Sequence, residues 1–174
     1  MFDKKLRNTL RVVLLVLFVV SLTALAVSAA EWEKIGGPGK TFAADMNTIY
    51  GITPDGSAVY KYTGTPEKWN KIGGPADQIY AGGAGVFATS PDTGDIYKYL
   101  GTPENWKKIG GPGETFSVGK NALYGITPDG SAVYKYTGTL MNWKKIGGPA
   151  DQIYVVGLGV FATNPDNGDI YQWK

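Results

Sequence analysis

Trp69-Asn70-Lys71-Ile72-Gly73-Gly74-Pro75 occurs three more times with only its second residue changed, beginning at Trp32, Trp106 and Trp143. The four copies stand 37 residues apart, which divides the chain into repeats 32–68, 69–105, 106–142 and 143–174. A fixed period of this length means that one supersecondary unit is copied and that the copies bury apolar faces against each other.

Within the first unit, Thr41 to Asp45, Thr48 to Thr53, Ala58 to Tyr62 and Trp69 to Ile72 are short runs of aromatic, β-branched and alternating residues, and they predict strands. Between them lie turn residues. Pro54-Asp55-Gly56-Ser57 and Pro128-Asp129-Gly130-Ser131 supply the Asp-Gly pair of a tight hairpin, and the other units use Pro91-Asp92-Thr93-Gly94-Asp95 and Pro165-Asp166-Asn167-Gly168-Asp169. Four antiparallel strands per unit make a propeller blade, so the fold class expected is all-β, a small β-propeller of four four-stranded blades. The last unit offers only Gln152 to Val155, Gly159 to Thr163 and Asp169 to Trp173, while Glu31 to Ile35 matches the absent strand. The N-terminal strand is therefore expected to close the last blade, within one chain or in a strand-swapped dimer of eight blades.

The units alternate in kind. Residues 32–100 and 106–174 agree at about 49 of 69 positions, so a two-blade unit has been duplicated and any site should occur twice.

Residues 1–30 lie outside the repeat. Lys4, Lys5, Arg7 and Arg11 precede an apolar run from Val12 to Val27 and the small residues Ser28, Ala29 and Ala30, the order of a secretory signal peptide. The competing reading is an uncleaved membrane anchor over 12–30. Either reading makes the repeats secreted or extracytoplasmic. The rest of the chain then holds thirteen basic and fourteen acidic residues, which removes the electrostatic support for nucleic acid as a partner.

The chain has neither cysteine nor histidine. No disulfide is available, and the commonest general base, metal ligand and thiol nucleophile are missing together. Asp92 with Asp95 and Asp166 with Asp169 offer oxygen ligands but fall short of the six to eight that calcium takes, and the turn already explains them. With no carboxylate pair outside these turns there is no evident glycosidase acid and base. The expectation is a non-catalytic protein without metal or cofactor.

Candidate ligand-binding residues are polar groups where propeller loops converge. Asp77-Gln78 and Asp151-Gln152 enter the inner strands of the second and fourth units, and Asn47 and Asn121 stand on turns of the other two. The repeat Trp reads two ways. It suits packing between blades, and in Trp69 and Trp143 its indole face also suits stacking on a sugar ring. Trp173 is expected in the core. The recurring lysines, Lys61, Lys98 and Lys135 with Lys34, Lys71, Lys107, Lys108, Lys144 and Lys145, read as guards of exposed edge strands rather than a basic belt.

The order W-x-K-I-G-G, then Y-G-I or V-F-A, a Gly-containing turn and V-Y-K-Y or I-Y-K-Y resembles the tectonin repeat and, more loosely, the tachylectin-2 type of propeller lectin, over Trp32 to Lys174. The resemblance implies a secreted sugar-binding propeller with several shallow sites, whose partners are glycans or cell-surface polysaccharide. Those families usually have five or six blades. A propeller that binds envelope proteins is the alternative from another class.

Overall fold

The computed structural model describes residues 32–174; the predicted signal or anchor and Glu31 lie outside the described residues. Fifteen strands fall in four antiparallel meanders, and among the described residues there is no helix. Sheet 1 holds β1 (Thr41–Ala44), β2 (Ile49–Ile52), β3 (Val59–Tyr62) and β4 (Trp69–Gly73). Sheet 2 holds β5 (Ile79–Gly82), β6 (Gly85–Thr89), β7 (Ile96–Tyr99) and β8 (Trp106–Gly110). Sheet 3 holds β9 (Thr115–Val118), β10 (Leu123–Ile126), β11 (Val133–Tyr136) and β12 (Trp143–Gly147). Sheet 4 has three strands, β13 (Ile153–Val156), β14 (Gly159–Thr163) and β15 (Ile170–Trp173). The predicted strands of the first unit are thus present within a residue or two. This is a propeller-like arrangement of repeated sheets.

The turn chemistry reads directly from the sequence. Gly56 at φ 75° and Gly130 at φ 70° take the left-handed conformation that the Asp-Gly hairpins require. In each, the Asp carboxylate accepts from the Ser two residues on, at Asp55 Oδ1 from Ser57 N (3.0 Å) and Oγ (2.8 Å).

Both faces of a central sheet are buried, which is why its strands are apolar on consecutive residues. Val86 and Ala88 of β6 pack into a core with Tyr50, Ile52 and Val59 of sheet 1. Phe87, between them, packs the other way, with Ile96, Phe116 and Leu123, in the core shared with sheet 3. A third core joins Tyr124, Ile126 and Val133 of sheet 3 to Ile153 and Val160 of sheet 4. Side chains alternate faces along a strand, so one meander serves two cores.

The inner strands adjoin in the order β1, β5, β9, β13. Among the described residues, the extended contact those neighbours make is not present between β13 and β1. Nor is the expected fourth strand of the last sheet: β15 pairs with β14 alone, and 32–39 carry no strand. The outer face of sheet 4 is uncovered, and Trp173, expected in the core, is exposed, with the Lys135 ammonium over its ring at 5.6 Å.

Candidate functional site

The last strand of each complete sheet carries a bulge, and in sheets 1 and 2 the bulge builds the join to the next sheet. Val59 pairs with Gly73 and Tyr60 with Lys71, which leaves Ile72 as the extra residue. Its carbonyl leaves the ladder and accepts from Trp106 Nε1 of sheet 2 at 2.7 Å and from Glu104 N at 3.0 Å. Glu104 reaches it by adopting φ 60°, a conformation strained for a residue with a side chain. Ile35 likewise accepts from Trp69 Nε1 (2.8 Å) and Glu67 N (3.0 Å), and Ile109 from Trp143 Nε1 (2.8 Å). Trp69, Trp106 and Trp143 are half-buried couplers between repeats, and each also packs on a cross-strand Tyr, at ring distances of 5.2 Å for Tyr62–Trp69, 5.1 Å for Tyr99–Trp106 and 5.3 Å for Tyr136–Trp143.

Beside each join lies a cavity between the Gly-Gly-Pro connection and the face of the next sheet. Those at Pro38 and Pro112, walled by Tyr60 and Trp69 and by Tyr134 and Trp143, hold about 140 and 150 Å³. Those at Pro75 and Pro149 hold about 300 and 250 Å³. The difference follows from one pair of positions. In sheets 1 and 3 a Phe faces a Gly across the ladder, Phe42 with Gly51 and Phe116 with Gly125, and the ring fills the space. In sheets 2 and 4 the pair is Ile79 with Ala88 and Ile153 with Ala162, and the space stays open.

The cavity on sheet 2 combines the aromatic wall of Tyr97 and Trp106 with Thr89, Ser90 and Asp92 at its polar side. Its counterpart on sheet 4 has Tyr171, Thr163 and Asn164 in the matching places, and no indole of the repeat kind on its outer side. Apolar floor, aromatic wall and a few hydroxyl and carboxyl groups suit a small polar ligand with apolar faces.

The residues predicted as a site do not converge. Trp69 and Trp143 line the two smaller cavities. Asn121 lines a fifth one, about 400 Å³, with Lys98, Lys135 and Lys144. Asn47 donates its backbone N–H to Asp45 Oδ1 within its turn (2.7 Å). Asp77 forms an ion pair with Lys40 at 2.7 Å, and both Asp-Gln backbones are occupied by threonine: Gln78 N donates to Thr89 Oγ1 (3.1 Å) and Gln152 N to Thr163 Oγ1 (3.0 Å). The two copies differ here, since Glu114 stands where Lys40 does in the first half. Tyr97, Ser90 and the Gly-Gly-Pro loops were not predicted. Their signal was the Y-x-Y ending of each unit, but which tyrosine faces a cavity depends on the neighbouring repeat.

No protein-family model matches the chain, and no curated protein matches it.

Proposed function

We propose that this protein is a non-catalytic, carbohydrate-binding propeller lectin of the exported or cell-surface kind, with its glycan sites in the cavities at Pro75 and Pro149. One observation carries this reading: the chain repeats, at a spacing of 74 residues, an open cavity that pairs a Tyr wall with hydroxyl and amide or carboxylate groups. The pyranose C–H face stacks on Tyr97 and Trp106, and Thr89, Ser90 and Asp92 hydrogen-bond its hydroxyls. Two weak sites per chain gain avidity on a surface that displays many sugars. The resemblance to tectonin and tachylectin-2 propellers supports the same function. As for architecture, the proposal is a ring of four-stranded blades in which residues 31–35 supply the outer strand beside β15.

A glycan array probed with the whole chain tests the function. Binding should be competed by a simple sugar and fall at least about tenfold in Tyr97→Ala and Asp92→Ala. Asp77→Ala and Asp151→Ala should leave it unchanged. If a folded chain binds no glycan, the lectin reading is lost and an envelope protein becomes the partner to seek.

A further inference from the structure

We propose that the outer strand of sheet 4 and the indole wall of its cavity come from a second copy of this chain, so that two chains close one ring head to tail. The proposal rests on the propeller reading above and not on glycan binding.

Residues 35 and 36 already occupy the place of an outer strand's end. Ile35 O accepts from Trp69 Nε1 as Ile72 O does from Trp106 Nε1. A Cβ on Gly36 would meet Trp69 Nε1 at 2.8 Å, as one on Gly73 would meet Trp106 Nε1 at 2.7 Å. What sheet 1 lacks is the rest of the sheet to which such a strand belongs.

Sheet 4 presents the converse. Gly147 is the fourth glycine of the series, yet a Cβ there would meet only Val133, at 3.4 Å, and no indole. The groove beside it is lined by Val133, Ile146, Val160 and Tyr171. Trp32, the fourth member of the Trp series, is fully exposed (102 %). Ile146 O is to Trp32 what Ile109 O is to Trp143.

The two uncovered faces are copies of the two sides of a core already formed between sheets 2 and 3. There Ile96 is 0 % exposed and Phe116 8 %, whereas their counterparts Ile170 and Phe42 are 65 % and 47 % exposed. Tyr154 and Leu158 extend one face, as Tyr80 and Ala84 do in the formed core. Faces that fit head to tail give a heterologous interface, which closes when the rotation per copy divides a full turn.

A second copy is the occupant because both matching faces stand open in the single chain. Two joins of the same kind link sheet 1 to sheet 2 and sheet 2 to sheet 3, with Nε1–O distances of 2.7 and 2.8 Å. β13 and β1 make no extended contact, and Ile170 and Phe42, which would meet in a closed ring, are both exposed. The register follows from the other sheets, where Lys98 faces Lys107 and Lys135 faces Lys144: Gln172 of one copy faces Glu33 of the other, and Trp173 faces Trp32. Gln opposite Glu avoids the like charges of those two pairs.

Because the chain has no cysteine, crosslinking reads this register directly. Full-length Glu33→Cys and Gln172→Cys chains, mixed and oxidised, should form a disulfide between the two variants, while neither variant alone should link. Light scattering on the unmodified full chain should give the mass of two copies, and Trp32→Ala should raise the dissociation constant at least about tenfold. A link that forms only within one chain carrying both cysteines would overturn the second-copy proposal and leave the propeller reading standing. No link in either arrangement would overturn both.

Discussion

Trp106 Nε1 donates to the Ile72 carbonyl at 2.7 Å, across the boundary between sheet 1 and sheet 2 and 34 residues along the chain. The bond exists because a bulge at Ile72 frees that oxygen from the ladder. The period of the sequence thus becomes the period of the structure, with each repeat holding the next through one indole and one carbonyl.

Trp106→Phe should cost little, about 1 kcal/mol, since Glu104 N still donates to the Ile72 carbonyl and no acceptor is orphaned. Trp106→Ala also removes the packing on Tyr99 and should cost about 3 kcal/mol. Urea unfolding of the two variants separates the parts. Equal losses would mean that the bond, not the ring, couples the sheets.

Gly73 and Gly74 are adjacent and should respond unequally to alanine. A Cβ at Gly73 would come within 2.7 Å of Trp106 Nε1 and push the indole from its carbonyl, whereas at Gly74 nothing lies within 4 Å. Gly73→Ala should destabilise by about 1–3 kcal/mol and Gly74→Ala by less than about 0.5. Comparable melting temperatures for the two would contradict the packing described.

The strands were legible because each is a short run of β-branched and aromatic residues closed by Asp-Gly or Gly-Gly-Pro, and such signals are local. Phe42 opposite Gly51 and Ile79 opposite Ala88 were also visible as an alternation of motifs, but not as a cavity that opens and narrows, since that needs the ladder register. The Trp residues stayed ambiguous for the same reason: their partner carbonyls are 34 residues away. The ion pair of Asp77 was not legible because its partner, Lys40, lies 37 residues back. Of the predicted site residues, Trp69, Trp143 and Asn121 border cavities, the Gln78 and Gln152 N–H groups donate to threonine, and Asp77 pairs with Lys40.

Acid should weaken the fold through its hairpins. Hydrogen bonds from Thr53 and Ser57 lower the Asp55 pKa to about 2, and those from Thr127 and Ser131 do the same for Asp129. Both groups bind a proton more tightly in the unfolded chain, at about 3.9, so their contribution is complete above that pH and is lost as pH falls towards 2. Thermal melts from pH 5 to pH 2 should show this decline, and Asp55→Asn with Asp129→Asn should flatten it. An unchanged slope in the double variant would place the acid sensitivity elsewhere.

Alkali should act through the shielded tyrosine hydroxyls of β2 and β5. Burial, with the nearby Asp77 charge, raises the Tyr80 hydroxyl to about 12; burial and the bond to Asp45 Oδ2 at 3.1 Å do so for Tyr50. A tyrosine ordinarily titrates near 10, so the unfolded chain ionises first. The stabilisation is whole below about pH 10 and is lost as pH rises towards 12. Tyr80→Phe keeps the edge-on packing with Phe116, at 5.6 Å between ring centroids, and removes the titrating group. Denaturation between pH 9 and pH 12 should therefore fall less steeply in Tyr80→Phe than in the parent, with tyrosinate absorbance in the folded parent appearing late. Tyrosinate that appears fully at pH 10 before unfolding would show that Tyr80 and Tyr50 are open to solvent, and the packing of β5 on sheet 3 would have to be redrawn.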